Sequence, residues 1–225
     1  MSVAENLRQV LKTVQQLAAG RPVTVLAVSK GQSAAAIREA CLAGQVAFGE
    51  SYLQEALPKQ EQLQDLALEW HFIGPVQSNK TRAIARHFDW VHGVTRLKIA
   101  ERLSEARREA LLAPLNICLQ VNLSGESSKA GVAPEEVADL AAEIAGLPGL
   151  RLRGLMTLPE PTADLSLQRQ RFAALRALKA LLVDQGYALD TLSMGMSQDF
   201  ASAIAEGSTI VRIGTAIFGE RRKTS

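Results

Sequence analysis

The sequence predicts an α/β fold, a TIM-type (β/α)8 barrel in a single domain with an extra N-terminal helix, on three observations. Eight short apolar runs recur along the 225 residues, helix-patterned stretches separate them, and most connections are too long for hairpins. Parallel strands joined by helices follow, and eight such units are the number that closes a barrel. The units are compact, so they consume the whole chain, 1–225, and no linker is visible between them.

The opening MSVAENLRQVLKTVQQLAAG spaces apolar residues at helical intervals among polar ones, which predicts a surface helix. VTVLAVSK then runs apolar without alternation, as a strand buried on both faces does. The pattern repeats as helix 34–43, strand QVAFG, helix 52–64, and a strand in EWHFIG around 71–73. Next come helix 80–87, strand DWVHG, helix 96–112, strand LNICLQVN, helix 134–145 and strand RLRGLMTL. Helix 165–183 with strand ALDTLSM, then helix 199–205 with strand TIVRIG and a closing AIFGERR, complete the set. Pro and Gly in LLAPLNI and AGLPGLRLR stand between helix ends and strands, where they mark turns.

Composition narrows the function classes. The net charge of +2 is too small for a nucleic-acid binder, and 47% hydrophobic with 21% charged residues is an ordinary soluble composition. The first residues lack the pattern of a secretory signal, and no apolar run reaches the length of a membrane span. Two isolated cysteines, Cys41 and Cys118, make neither a disulfide framework nor a zinc site, which fits a reducing cytoplasm. Both are expected to be packing residues. A barrel satisfies its own sheet edges, so a monomer is expected.

In a barrel of this kind the reactive groups stand at the C-terminal ends of strands. Ser197 and Gly214–Thr215 fall in the loops after strands seven and eight, where glycines, hydroxyls and helix N-termini bind phosphate. Ser197 would cap the following helix while facing the anion; the plainer alternative is a cap and a turn with no ligand. Lys30 ends a strand buried on both faces, so desolvation would free its amine to attack a carbonyl, although a surface lysine just past a strand is the commoner case. An aldehyde cofactor with a phosphate tail, such as pyridoxal 5'-phosphate (PLP), would use both features. Arg212 would face its pyridine nitrogen, or else form an interior ion pair with Glu50 or Asp199.

AVSK, FGESYLQEA, HFIGPVQSNK, QVNLSGESSKAG, RGLMTLP, LSMGMSQDF and VRIGTAIFGER, in that order across nearly the whole chain, resemble the PLP homeostasis protein family. The resemblance implies a barrel like the N-terminal domain of alanine racemase that carries PLP as a Schiff base, without strong catalysis of its own. Its implied role is to bind and deliver PLP, in the service of vitamin B6 and amino-acid balance, with PLP-dependent apo-enzymes as partners. Carried over residue by residue, Lys30 becomes the Schiff-base lysine, Arg212 the neighbour of the pyridine nitrogen, and Ser197, Gly214 and Thr215 the phosphate site. Met196 and Met156 would shape the pocket wall. The family has asparagine where this chain has Ser51, and serine lacks the amide's second polar group.

A PLP-dependent racemase, or another PLP enzyme of the same barrel type, is the alternative. An arginine at the ring nitrogen keeps that nitrogen unprotonated and weakens the electron sink. Of the two tyrosines, Tyr187 precedes strand seven and Tyr52 reaches only the rim, so a two-base racemase is disfavoured. A sugar-phosphate enzyme using Lys30 as an aldolase-type lysine explains the phosphate loops but not the ordered motifs. His71, His87 and His92 lack metal-site spacing and are expected to be packing or surface residues, and no metal is expected. Lys80 and Lys129 lie in loops after strands, Lys129 as a secondary anion contact or as a solvated loop lysine.

Overall fold

A computed structural model describes residues 2–124 and 130–220. Eight parallel strands close in sequence order: β1 (Thr24–Val28), β2 (Ala47–Glu50), β3 (Glu69–Phe72), β4 (Trp90–Val94), β5 (Leu115–Gln120), β6 (Leu150–Met156), β7 (Thr191–Met196) and β8 (Ile210–Ile213). The last strand pairs with the first, Leu26 opposite Arg212 and Ala27 opposite Ile213. No edge is left unpaired, and the barrel expected from the sequence is the one observed.

The extra helix α1 (Val3–Ala18) precedes β1 and opens with a capping box, Ser2 Oγ accepting from Glu5 N at 3.2 Å and Glu5 Oε2 accepting from Ser2 N at 2.8 Å. Its Leu7, Val10, Val14 and Ala18 recur at helical spacing and are buried, the reason this stretch reads as amphipathic. The other helices are α2 (Ala34–Leu42), α3 (Leu53–Gln62), α4 (Thr81–His87), α5 (Leu97–Glu109), α6 (Val137–Ala145), α7 (Leu165–Asp184), α8 (Phe200–Ala205) and α9 (Thr215–Phe218). Residues Pro134–Glu136 form a 3-10 turn rather than the start of α6. No described helix is long and apolar enough to cross a membrane.

Two apolar cores result. The larger lies between barrel and helices and includes Phe48, Ile84, Leu103 and Phe172. The smaller fills the barrel itself with Leu26, Ala47, Trp90, Cys118, Met156 and Ile210. Beside this inner cluster stand residues that an apolar core does not need: His71, His92, Ser193 and Arg212, all buried.

Candidate functional site

A cavity of about 280 Å³ opens at the C-terminal mouth of the barrel. From β1 and its turn come Val28, Lys30 and Gln32; Ser51 follows β2, and Ile73 follows β3. Met196, Ser197, Gln198 and Asp199 come from the end of β7 and its turn, Arg212 from β8, and Gly214 and Thr215 from the segment after it. Leu158, Pro161 and Thr162 supply the wall between β6 and α7. The candidate residues Lys30, Ser51, Met196, Ser197, Arg212, Gly214 and Thr215 are thus brought together. Met156 is not: it packs in the inner apolar cluster, outside the cavity lining.

Two glycines shape the mouth. Gly195 has φ +96, and a Cβ there would stand 2.6 Å from Ala203 Cβ, so only glycine fits the kink where β7 shifts register against β8. That kink turns the chain from Ser193 toward Ser197. Gly214 lets the backbone after β8 pass close to β1, since a Cβ would lie 3.2 Å from Val28 O. Ser197 does not cap the following helix as expected. Helix α8 begins at Phe200 with Asp199 in the cap position, and Asp199 Oδ1 instead accepts from Met196 N at 2.6 Å. The Asp199 side chain turns back to close the loop, which removes the need for a serine cap.

The backbone that carries Lys30 is tied from outside the barrel. Lys59 on α3 donates to Ser29 O at 2.9 Å and to Glu50 Oε1 at 2.8 Å; Ser29 Oγ donates to the same Oε1 at 2.7 Å. Gly31 N donates to Glu55 Oε2 at 2.8 Å. Glu50 is fully buried, burial raises its carboxyl above the usual range despite Lys59, and its Oε2 has no partner. Sequence reasoning missed Lys59 and Glu55, although their i,i+4 spacing on a predicted helix was the available signal.

Arg212 is held differently. Its Nη1 donates to Ser193 O at 2.6 Å and Ser193 Oγ at 2.7 Å, and Nη2 donates to Thr157 O at 2.8 Å. Among the described residues no carboxylate lies within ion-pairing distance of it, so neither Glu50 nor Asp199 makes the interior pair considered from sequence. Burial brings the guanidinium down to about 10, with Asp199 opposing that at longer range.

From Ser193 a line of polar atoms continues down the barrel. Ser193 Oγ lies 2.8 Å from His92 Nδ1, His92 Nε2 lies 2.9 Å from His71 Nδ1, and His71 Nε2 lies 2.7 Å from Glu69 Oε1. Of the packing and surface places open to these two histidines from the sequence, both take the interior one, and Trp90 stacks on His71 at 5.4 Å. Burial, then the repulsion that a second proton on this histidine pair would meet beside His71, and the charge of Arg212, hold His92 well below its ordinary value. The His71 hydrogen bond holds Glu69 below the usual carboxylate range.

Of the remaining expectations, Cys118 is buried and pushed up to about 12 by desolvation, the state of an inert packing thiol, and Cys41 packs at the edge of the outer core. Lys80 occupies the cap position of α4 and does not line the cavity. Lys129 lies outside the described residues. Tyr52 is exposed, and Tyr187 packs beside the outer core ahead of β7. No cluster of potential metal ligands occurs among the described residues.

Comparison with known proteins gives a consistent answer. The family model described as "Alanine racemase, N-terminal domain" matches residues 3–222. Curated relatives named pyridoxal phosphate homeostasis protein include one from Pseudomonas aeruginosa, 60% identical over 98% of this chain and 96% of its own. Another, from Escherichia coli, is 50% identical over 97% of each chain. Among solved structures, PipY of Synechococcus elongatus PCC7942 with PLP bound is 39% identical, with a TM-score of 0.87 over 97% of this chain and 100% of its own. Alanine racemase of Corynebacterium glutamicum, at 19% identity and a TM-score of 0.72, shares the fold over 62% of its length.

Proposed function

The chain belongs to the alanine racemase N-terminal domain family, within its pyridoxal phosphate homeostasis proteins, and on that premise we propose that it binds PLP in the mouth cavity through a Schiff base on Lys30. The observation that carries this reading is the convergence on one cavity of a half-buried lysine, a buried arginine and the hydroxyls of Ser197 and Thr215. The donor set fits the group: a primary amine for the aldehyde, hydroxyls and the backbone at Gly214 for the phosphate, and a permanent cation for the ring nitrogen. When bound, PLP would supply an electrophilic aldehyde carbon, and the Lys30 amine is the group that would hold it. The chain's own part is to hold the amine steady through the tied backbone of residues 29–31 and to exclude bulk water behind Leu158 and Pro161.

In this reading the whole chain works as one domain, the protein carries PLP for cellular vitamin B6 and amino-acid balance, and PLP-dependent apo-enzymes receive it in the cytoplasm. Strong catalysis is not part of it. Arg212 keeps the ring nitrogen unprotonated, and with Tyr52 exposed and Tyr187 packed beside the outer core, neither tyrosine lines the cavity as a second base. Borohydride reduction after incubation with PLP, followed by peptide mass mapping, tests the assignment. A pyridoxyl adduct on Lys30 that disappears in Lys30→Ala is the expected result; labelling elsewhere overturns it. Proton exchange at the α-carbon of alanine in heavy water should run little faster than with free PLP, and fast stereospecific exchange would favour the racemase.

A further inference from the structure

We propose that Ser193, His92, His71 and Glu69 are positioning residues for Arg212, forming one hydrogen-bond chain of fixed direction through the barrel interior that sets how the guanidinium faces the cavity. The proposal rests on the reading that the cavity takes PLP with Arg212 at its ring nitrogen.

The two ends dictate the direction. A guanidinium only donates and a carboxylate only accepts. Starting from Arg212 Nη1, Ser193 Oγ accepts and its own proton goes to His92 Nδ1. His92 then donates from Nε2 to His71 Nδ1, and His71 donates from Nε2 to Glu69. Each ring nitrogen makes one bond of the right polarity, with both imidazoles neutral and protonated on Nε2. Reversing the chain with neutral rings sets the bare Nε2 of His71 against the Glu69 carboxylate, lone pair to lone pair. Reversal works only if His71 takes a second proton. The charged groups around the line are Arg212 on β8 and Glu69 on β3, with Arg153 of β6 stacked over Trp90 and Asp199 after β7.

The line is anchored to structure at every step. Trp90 stacks almost parallel to His71, at 6°, and fixes its ring plane. Ser193 and His92 are fully buried, so no water competes for them. Glu69, by contrast, is 45% exposed at the start of β3. A carboxylate at the opposite end of the barrel is thereby linked to the cation in the cavity.

Histidine tautomers in the 15N-labelled protein without PLP, read by long-range nitrogen–proton correlation, test the direction. Two neutral Nε2–H rings at about pH 7 are expected; an Nδ1–H ring or a doubly protonated His71 overturns the chain. With PLP, Ser193→Ala should weaken binding about tenfold, the size of one charge-assisted hydrogen bond. Glu69→Gln keeps an acceptor at a half-exposed position but removes the charge. It should move the pH midpoint of the bound cofactor's absorption by about half a unit or more while Lys30 still forms its adduct. A merely structural role would lower the melting temperature and leave that midpoint in place, which overturns the proposal. If the unaltered protein forms no Lys30 adduct, the PLP reading fails by itself, and the tautomers alone decide the chain.

Discussion

Two buried cations lie near the mouth of the barrel, and they are neutralised in different ways. Lys59, between barrel and helix α3, meets Glu50 at 2.8 Å and ties down the turn that carries Lys30. Arg212, inside the barrel, meets carbonyls and a hydroxyl and turns the rest of its charge to the cavity. A cation already paired is a fastening; a cation left with neutral partners is a place for an anion or a lone pair to bind. Proximity to the cavity separates them less well than the chemistry of their partners does.

The largest effect is expected at the fastening. Lys59→Met leaves the fully buried Glu50 without its cation, and stability measured by urea unfolding should fall by about 3 to 5 kcal/mol. A loss below about 1 kcal/mol would show that Glu50 is already neutral there. Arg212→Gln should do the opposite: stability changes little, while PLP affinity by fluorescence titration drops about 10- to 100-fold, the value of a charge-assisted contact. Equal affinities would make Arg212 a second fastening and end the comparison.

Acid should separate the two regions again. His92 is held well below its ordinary 6.5. Below about that pH the unfolded chain binds a proton that the native barrel refuses, so this group withdraws stability as pH falls through 6.5. Glu50 works the other way. Its carboxyl is raised above 4.5, so the stability it contributes is full below 4.5 and fades as pH rises through the folded value. Thermal melts should therefore show a loss between about pH 7 and pH 5 that is smaller in His92→Gln; an identical slope in both proteins would remove His92 as the cause. The smallest change is expected when both members of the outer pair are made apolar, Glu50→Leu with Lys59→Met, which should restore stability to within about 1 kcal/mol. A deficit as large as that of Lys59→Met alone would mean that the pair is needed for itself.

Much of this was legible in the order of residues. Unalternating apolar runs announced parallel strands, and the polar residue after each run pointed to the mouth, which is why Lys30, Ser197 and Arg212 could be named beforehand. What escaped are groups whose role comes from neighbours distant in sequence. Ser193 and His92 meet across 101 positions, and nothing local marks a histidine inside an apolar strand as part of a line rather than as packing. Ser197 was misjudged as a helix cap because the Asp199 side chain folds back to Met196, a choice fixed by the kink at Gly195. Met156 was carried into the pocket by its motif; its place in the inner cluster follows from the register of β6 against β5 and β7, which a single strand does not reveal.

Closure of β8 on β1 sets Arg212 beside Leu26, two positions before Val28 of the cavity wall. The halves of the cavity are thus furnished by segments far apart in the sequence. A ribosome-bound chain has the Lys30 turn well before it acquires Arg212 and Thr215, so the cavity forms with the most non-local pairing in the fold. A ligand that needs both halves has little hold on incomplete chains. Its full binding energy therefore favours the closed barrel over every partly folded form.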